Sequence, residues 1–261
     1  MVRLMREHQQ YPLISVVIPA LNEAQNLQYV LPYIPPLVSE VILVDGLSVD
    51  DTCAVAQRLL PAIKIVKQTG SGKGNALKAG FAACTGDIIV MLDADGSADP
   101  NEIPRFVEVL MAGNDFAKGS RFKKGGGSHD ISPLRSAGNF GLSQLVNLFF
   151  QARFSDLCYG YNAFWKHCLD YLEIDSDGFE VETLINIRMH QARLKIEEVP
   201  SFEYQRIHGE SKLHTFRDGW RVLKTIMRER GRKSSTPLQL PHLTRTFNIE
   251  EKPSTPEEIV L

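Results

Sequence analysis

The sequence predicts an α/β protein with a mostly parallel, doubly wound sheet. Between residues 13 and 92, four short segments rich in β-branched residues alternate with three helical segments. This is the order of a parallel sheet that helices cover on both faces. Polar and acidic residues follow the first, second and fourth of these segments. Because ligands bind where the strands of such sheets end, the fold class also predicts a binding rim.

The strands of the first half are predicted at 13–19, 40–44, 62–66 and 87–92. Each is a short apolar run without strict alternation, as expected of strands buried on both faces. Asn22 is a suitable N-cap for a helix after the first strand, and Asp50 and Asp51 begin a helix after the second. A glycine-rich turn, TGSGKGN, precedes a third helix with the sequence ALKAGFAAC.

The second half of the chain alternates less regularly. Helices are predicted at 99–110, 134–150, 179–190 and 215–230, strands at 116–119 and 194–199, and a flexible loop at 123–128. We expect an N-terminal extension (1–12), one α/β domain (13–215), a basic amphipathic helix (216–233) and a proline-containing tail (234–261). The composition of that tail is typical of an extended segment.

Composition excludes several protein classes. With 43% hydrophobic and 23% charged residues, the chain has the make-up of an ordinary globular protein. It has no run of 18 apolar residues and no apolar segment near the N-terminus, so neither a transmembrane helix nor a secretory signal is predicted. Its four cysteines show no metal-ligand spacing, and we expect free thiols in a reducing compartment. The sequence therefore predicts a cytoplasmic protein that binds a membrane at most peripherally.

Asp93 and Asp95 directly follow the fourth predicted strand, in the segment DIIVMLDAD. Two carboxylates one residue apart can both point outward where the chain leaves a sheet. Hard divalent cations such as Mg²⁺ or Mn²⁺ prefer these oxygen ligands. A solvated turn is the simpler interpretation of an isolated Asp-X-Asp. Its position after a buried strand favours a metal site shared with a diphosphate.

Further charged residues lie near the predicted rim. Glu23 and Asp45 follow the first and second strands, where a carboxylate can bind a ribose or a base, with helix capping as the alternative. Lys73 lies in a GKG segment that lacks the spacing of a P-loop, so it either helps to bind a donor or is a solvated turn residue. Glu180 and Glu182 are two apart on a helix, so only one of them can face a site.

Together these segments resemble the family 2 glycosyltransferases of the GT-A fold. The resemblance is carried by VVIPALNE (16–23), VDGLSVDDT (44–52), GKGNAL (72–77) and GDIIVMLDAD (86–95). Within that family the sequence is similar to the polyprenyl- or dolichyl-phosphate sugar synthases of the dolichyl-phosphate mannose synthase group. That similarity is carried by KGSRF (118–122), SPLRSAGN (132–139) and RIHGESK (206–212), and the whole resemblance spans roughly residues 13–215.

The resemblance implies an inverting transfer of a sugar from a GDP- or UDP-sugar to a polyprenyl or dolichyl phosphate. It implies that the nucleotide sugar binds to Pro19, Leu21, Glu23, Asp45, Lys73, Asp93, Ala94 and Asp95, with Mg²⁺ or Mn²⁺ on Asp93 and Asp95. The cations implied to hold donor and acceptor phosphates are Arg121, Arg135, Arg206 and Lys212. Several cations are needed because the reacting phosphates repel one another, and guanidinium groups bind phosphate through two bonds.

Two positions depart from the pattern of the mannose synthases. Gly46 stands where a second Asp usually follows the one that matches Asp45, and Ser97 stands where a Gln is common. Serine is a poorer metal ligand. A third metal ligand is therefore left open between Ser97, His208 and His214.

The acceptor is left open between two chemistries. An ionised phosphate attacks without a base, whereas a hydroxyl of a soluble or glycan acceptor needs one, and Asp156 is then the candidate. Catalytic roles are expected for Asp95, Asp156 and Arg206. A third hypothesis is a module that binds nucleotide sugars without turnover. No nucleic acid is expected as a partner, and the oligomeric state is left open.

The segment 206–233 is basic, with nine Lys or Arg against three Asp or Glu. In its predicted helix Phe216, Trp220, Leu223 and Met227 share one face, as in helices that lie on a membrane surface. A helix that packs on the core and has one solvated face is the alternative. The lipid-phosphate acceptor implied by the resemblance favours the peripheral membrane contact.

Overall fold

The computed structural model describes residues 11–210 and 213–232 and confirms the predicted fold class. The strands are β1 (Ile14–Ala20), β2 (Glu40–Asp45), β3 (Lys64–Lys67), β4 (Ile88–Met91), β5 (Phe116–Ser120), β6 (Gly127–Ser128), β7 (Asn162–Trp165), β8 (Ile196–Pro200) and β9 (Phe202–Glu203). The α-helices are α1 (Thr52–Leu59), α2 (Lys73–Ala83), α3 (Ile103–Met111), α4 (Pro133–Phe150), α5 (Val181–Gln191) and α6 (Thr215–Gly231).

Seven strands form one mostly parallel sheet in the order β3–β2–β1–β4–β7–β5–β8. Strands β1 to β4 run parallel, and β8 runs parallel to β5. Strand β7 is antiparallel to both of its neighbours, β4 and β5. The short strands β6 and β9 pair separately. The carboxyl ends of β1, β2 and β4 therefore lie along one edge, as the sequence predicts.

The core lies on both faces of the sheet, because successive side chains of a strand point in opposite directions. Val16 and Ile18 of β1 pack with α1 and α3, whereas Val17 packs with α2 and α5. Helix α2 approaches the sheet closely at Gly80, where an added Cβ would lie 2.4 Å from a methyl carbon of Val17. A third apolar cluster joins α4, α5 and α6.

The helix predicted after Asn22 is wrong. Asn22 has a left-handed backbone with φ of 58°, and its side-chain oxygen accepts a hydrogen bond from the backbone N–H of Val49 at 2.8 Å. Two 3₁₀ turns follow, at Leu27–Tyr29 and Leu31–Tyr33. Pro32 lies in the second turn, and the prolines at 35 and 36 keep the chain from continuing as a helix.

Strand β7 is absent from the sequence prediction. It spans four residues, NAFW, and begins with the buried amide of Asn162, which accepts a hydrogen bond from the N–H of Gly119 at 3.2 Å. A short segment that starts with a polar residue has neither the alternation nor the apolar length that predicts a strand. Its pairing with β4 and β5 is formed entirely by long-range contacts.

Helix α6 packs on the core through Val222 and Ile226, which are buried. The face predicted to lie on a membrane surface is largely exposed: Phe216 is 83%, Trp220 57% and Met227 50% exposed. Within the described part of the chain, no helix is both long enough and apolar enough to cross a bilayer. The four cysteines are free, as expected. The predicted tail (234–261) lies outside the described residues.

Candidate active site

The predicted rim residues gather around two cations. Glu23 follows β1, and Asp93 and Asp95 follow β4. Arg206, from the loop after β9, binds two of these carboxylates: its guanidinium donates to Glu23 Oε1 at 3.0 Å and to Asp95 Oδ2 at 2.8 Å. Burial acts to lower the pKa of Arg206, but the neighbouring carboxylates of Asp95 and Glu23 outweigh it and raise that pKa. Residues separated by more than a hundred positions thus form one ionic contact.

The loop that carries Arg206 is held against the turn after β4. The backbone N–H of Tyr204 donates to the carbonyl of Ser97 at 2.7 Å. The side-chain amide of Asn26 pairs with the backbone of His208 in both directions, at 3.0 and 3.1 Å. Asn26 also donates to Glu23 Oε2 at 2.6 Å, so this single amide links Glu23 to the loop.

Lys73 is the second cation of the site. At the first turn of α2, its Nζ lies 2.6 Å from Asp93 Oδ1 and 2.6 Å from Glu182 Oε1. Burial would lower the pKa of Lys73, but the two carboxylates raise it well above its usual value. Lys73 is therefore a charged, buried partner of Asp93 and not a solvated turn residue. Of the two glutamates at the start of α5, Glu182 makes this contact, and Glu180 accepts from the N–H of Gly178 at 3.2 Å.

Gly160 is tightly enclosed by this group. A Cβ added there would lie 2.5 Å from Glu182 Oε1, 2.6 Å from Lys73 Nζ and 3.2 Å from Asp93 Oδ2. Distances under 3.0 Å require the charged groups to move apart. The absence of a side chain at 160 is what allows the backbone after Asp156 to pass beside the charged cluster.

Arg121 and Asp156 pair with each other, apart from the two cation groups. Arg121 Nε and Nη2 donate to the two carboxylate oxygens of Asp156 at 2.7 and 3.0 Å, and Nη1 donates to Glu203 Oε2 at 2.9 Å. The guanidinium also lies 4.9 Å from the ring centroid of Tyr159. Asp156 is fully buried; burial would raise the pKa of its carboxyl, but Arg121 and Lys118 hold it below its usual value.

The remaining predicted site residues lie at separate positions. Asp45 ends β2, is buried, and accepts from the N–H of Ser48 at 3.1 Å. Arg135 lies in the first turn of α4, 3.6 Å from Asp130, and its side chain is 25% exposed. Pro19 lies in β1, Leu21 is exposed just beyond it, and Ala94 is buried between the two aspartates. Lys212 falls outside the described residues.

Asp93 and Asp95 supply the oxygen ligands that Mg²⁺ and Mn²⁺ prefer. Asp95 Oδ1 accepts from the hydroxyl and the N–H of Ser97 at 2.7 and 3.0 Å. The side chain of Asp93 is 35% exposed. Among residues 11–210 and 213–232, no three His, Cys, Asp or Glu side chains form a ready-made metal cluster. The two aspartates fit a cation whose other ligands are phosphate oxygens and water, which is how Mg²⁺ commonly binds.

Within the described part of the chain, neither His208 nor His214 joins the aspartates in such a cluster. Ser97 donates its hydroxyl to Asp95. The ring of His208 lies 5.8 Å from the ring of Tyr29, between centroids. His214 precedes α6, where its backbone N–H donates to Asp218 at 2.7 Å.

Comparison with known proteins decides the family. A sequence model described as glycosyl transferase family 2 matches residues 15–169, more than half of the chain. The chain belongs to glycosyl transferase family 2. The matched range begins at the second residue of β1, extends beyond β7, and includes the two aspartates that follow β4.

Relatives of this family 2 chain include proteins named for lipid-phosphate acceptors. The dolichol-phosphate mannosyltransferase of Pyrococcus furiosus is 31% identical over 215 residues, which are 77% of this chain and 59% of that protein. The dolichyl-phosphate hexose transferase of Haloferax volcanii is 29% identical, over 82% of this chain and 92% of that protein. The chain thus spans little more than half the length of the first relative and most of the second.

Solved structures confirm the GT-A fold expected from the sequence. The glucosyl-3-phosphoglycerate synthase of Mycobacterium tuberculosis, in complex with Mn²⁺, UDP and phosphoglyceric acid, has a TM-score of 0.69 and 25% identity. The match covers 86% of this chain and 80% of that one. The same enzyme with Mg²⁺ and UDP has a TM-score of 0.66.

Two members of the site, Gly160 and Glu203, were not predicted from the sequence, and Glu182 was predicted only as one of two alternatives with Glu180. No residue pattern connects them to Lys73 or Arg121, since they belong to a loop, a helix and an edge strand far along the chain. The only available signal was helical spacing, which indicated that one of Glu180 and Glu182 faces away from the site. The structure assigns Glu182 to the cluster.

Proposed function

We propose that this family 2 glycosyltransferase moves a sugar from a nucleoside-diphosphate sugar to the phosphate of a polyprenyl or dolichyl lipid, with inversion. The observation that carries the proposal is the pair of aspartates after β4, held between Lys73 and Arg206 at the carboxyl edge of the sheet. A metal-bound diphosphate fits such an edge, where it meets both carboxylates and cations. The names of the relatives support a lipid-phosphate acceptor.

Asp93 and Asp95 would hold the divalent cation, which on binding neutralises charge on the leaving nucleoside diphosphate. The Mn²⁺, Mg²⁺ and UDP found with the solved relative support this part of the proposal. The nucleotide would lie along the ends of β1 and β2, near Pro19, Leu21 and Asp45. GDP and UDP are both compatible with a carboxylate at Asp45 that accepts hydrogen bonds from a ribose or a base.

The acceptor phosphate requires cations that a ligand can reach. Arg206 and Arg135 are such candidates among the described residues, since their side chains are 19% and 25% exposed. Arg206 can exchange its carboxylate partners for phosphate oxygens, because guanidinium binds both in the same two-pronged geometry. Arg121 is only 4% exposed and already donates to two carboxylates. We therefore assign it to orienting the loop around Asp156 rather than to direct phosphate contact.

The state of Asp156 favours the phosphate acceptor over a hydroxyl. A hydroxyl acceptor needs a base that reaches the acceptor and has a pKa suited to taking its proton. Asp156 is fully buried, its two oxygens accept from Arg121, and the pKa of its carboxyl is lowered. A phosphate is ionised at neutral pH and attacks without such help. The displacement then needs alignment and cations, which the rim supplies.

Helix α6 supports work at a membrane surface. Phe216 and Trp220 are largely exposed on one side of the helix, and the exposed Arg217, Arg221 and Lys224 lie beside them. Aromatic side chains next to basic ones suit an anionic lipid interface. A peripheral contact through α6 would bring the lipid phosphate to the enzyme without a membrane-spanning segment.

A second candidate is transfer to a hydroxyl of a soluble acceptor. The observation in its favour is the structural similarity to glucosyl-3-phosphoglycerate synthase, solved with phosphoglyceric acid. In that case Asp156 would have to leave Arg121 to act as the base. Transfer to a hydroxyl would therefore require the buried ion pair between Arg121 and Asp156 to rearrange first.

A screen of donors against two acceptor classes tests the proposal. Radiolabelled UDP- and GDP-sugars are incubated with Mn²⁺ or Mg²⁺ and either a short polyprenyl phosphate in vesicles or phosphoglyceric acid. We expect label in the organic phase, dependent on the metal and lost in Asp95→Asn but retained in Glu197→Gln, a surface control. A water-soluble glycoside without lipid product contradicts the phosphate acceptor. No transfer from any donor contradicts both candidates and leaves nucleotide-sugar binding alone.

A further inference from the structure

The charged side chains of the site fall into two groups of three. Lys73 contacts Asp93 and Glu182, and Arg206 contacts Asp95 and Glu23. Each group combines one cation with two carboxylates, so each carries a net charge of −1. Four carboxylates against two cations give the six side chains a charge of −2. This is the charge that a single divalent cation neutralises.

Glu182 determines the sign of the first group. It is 5% exposed, lies in the first turn of α5, and shares the ammonium of Lys73 with Asp93. Without Glu182, Lys73 and Asp93 would form a neutral pair, and Asp93 would attract a cation less strongly. Charges interact more strongly in a buried site than in water at the same distance. The carboxylate of Glu182 can therefore increase the affinity for a metal ion that it does not contact. Lys118, also buried nearby, donates instead to the carbonyl oxygens of Gly119 and Tyr159.

We propose that Glu182 is a positioning residue for the metal: by sharing the ammonium of Lys73, it leaves the group of Lys73, Asp93 and Glu182 with a net negative charge toward a divalent cation. The proposal rests on the proposed function only in taking Asp93 and Asp95 as the metal ligands. Residues that support a metal ligand from behind commonly change metal affinity by 10- to 100-fold when replaced. A purely structural role, in which Glu182 only ties α5 to α2, predicts no such change.

Mn²⁺ binding to the full chain in the presence of UDP or GDP, followed by electron paramagnetic resonance without sugar donor, separates these roles. Glu182→Gln preserves an oxygen that accepts from Lys73 but removes the charge, and we expect Mn²⁺ affinity to fall about tenfold. Glu180→Gln, two residues earlier on the same helix start, is the matched control and should bind Mn²⁺ like the parent. The melting temperature of each variant shows whether it is folded.

A charge-compensating variant makes the test independent of Glu182→Gln alone. In Lys73→Gln/Glu182→Gln the first group again carries a net charge of −1, so we expect Mn²⁺ affinity to return to within about threefold of the parent. Lys73→Gln alone leaves two carboxylates and should bind Mn²⁺ more tightly than the parent. If Glu182→Gln does not fold, the comparison of the double variant with Lys73→Gln still measures the effect of the Glu182 charge on Mn²⁺ affinity.

The outcomes distinguish this inference from the proposed function. Equal Mn²⁺ affinity in the parent and Glu182→Gln, or a double variant weaker than either single variant, overturns the role of Glu182 while sugar transfer can still be observed. A parent chain that binds no Mn²⁺, or binds it equally well in Asp95→Asn, overturns the metal site itself. Lipid-linked product formed by the parent, measured separately, decides the proposed function.

Discussion

Replacing Asp156 by Asn tests whether this carboxylate is a buried structural partner or a base. The side chain keeps its shape, but one carboxylate oxygen becomes an NH₂ group that faces the donors of Arg121, which now lie at 2.7 and 3.0 Å. Removing one partner of a buried ion pair costs about 3–5 kcal/mol. Because Glu203 still binds Nη1 of Arg121 at 2.9 Å, we expect about 3 kcal/mol.

The expected loss is large enough to measure by thermal and urea unfolding. For a domain of this size, 1 kcal/mol shifts the melting temperature by about 2–4 °C, so Asp156→Asn should melt about 6–12 °C lower. The control is Glu197→Gln, which breaks the exposed ion pair with Lys123 and should change the unfolding free energy by less than about 0.5 kcal/mol. In a double-mutant cycle, Arg121→Met combined with Asp156→Asn should cost less than the two single changes added together.

One result would refute this reasoning. If Asp156→Asn unfolds within about 1 kcal/mol of the parent, while turnover falls by a thousandfold or more, then Asp156 takes a proton in the reaction. A loss of the acidic limb of the pH–rate profile in the same variant would identify a hydroxyl acceptor. A large loss of stability with lipid-linked product still formed by the remaining folded protein supports the phosphate acceptor.

Three further predictions follow from the same contacts. Gly160→Ala should lower turnover at least tenfold in the donor screen, because the new Cβ would lie 2.5 Å from a carboxylate oxygen of Glu182 and would displace the charged cluster. Normal turnover in this variant would show that the reaction does not need this arrangement of the cluster. Phe216→Ser with Trp220→Ser should reduce co-sedimentation with anionic vesicles without lowering the melting temperature, since both side chains are exposed; unchanged vesicle binding would contradict the membrane role of α6. Acid should destabilise the fold. Burial acts to raise the pKa of the Asp156 carboxyl, but Arg121 outweighs burial and holds the pKa below its usual value of 3.8. The ionised carboxylate therefore contributes to stability above pH 3.8, and this contribution is lost as the pH falls through the pKa of the folded state. Urea unfolding between pH about 5 and 2 measures this, and Asp156→Asn should show a smaller dependence.

Most of the parallel half of the sheet can be predicted from the sequence because its strands are buried on both faces. Such strands are continuous apolar runs, which explains why β1, β2 and β4 are found within two residues of their predicted ends. Strand β7 lacks this signal. Its four residues become a strand only because they lie between β4 and β5, each of which offers one unpaired edge to them.

Asn22 shows how one residue type can support two different structures. The short side chain that makes Asn a good N-cap also makes it tolerant of left-handed backbone conformations. The sequence alone favours a helix here. The choice is made by a contact 27 residues away, where Asn22 accepts from the N–H of Val49.

The rim of the candidate site was predictable, whereas its ionic partners were not. Strand ends place Glu23, Asp93 and Asp95 at one edge by a general rule of parallel sheets. Lys73 and Glu182, by contrast, are 109 residues apart, and Arg121 and Asp156 are 35 apart. No periodicity relates such positions, so their pairing depends on how α2, α5 and the loop around Gly160 come together in the folded chain.

The position of β7 determines when the sheet can close. Strands β4 and β5 are consecutive along the chain, yet β7, made more than forty residues after β5, has to insert between them. A nascent chain that has emerged only as far as α4 therefore exposes the unpaired edges of β4 and β5 at the same time. Direct pairing of β4 with β5 is the misfolded product available at that stage, and exposed edges of this kind also recruit other chains. Synthesis of the segment Asn162–Trp165 supplies the strand that pairs with both of these edges.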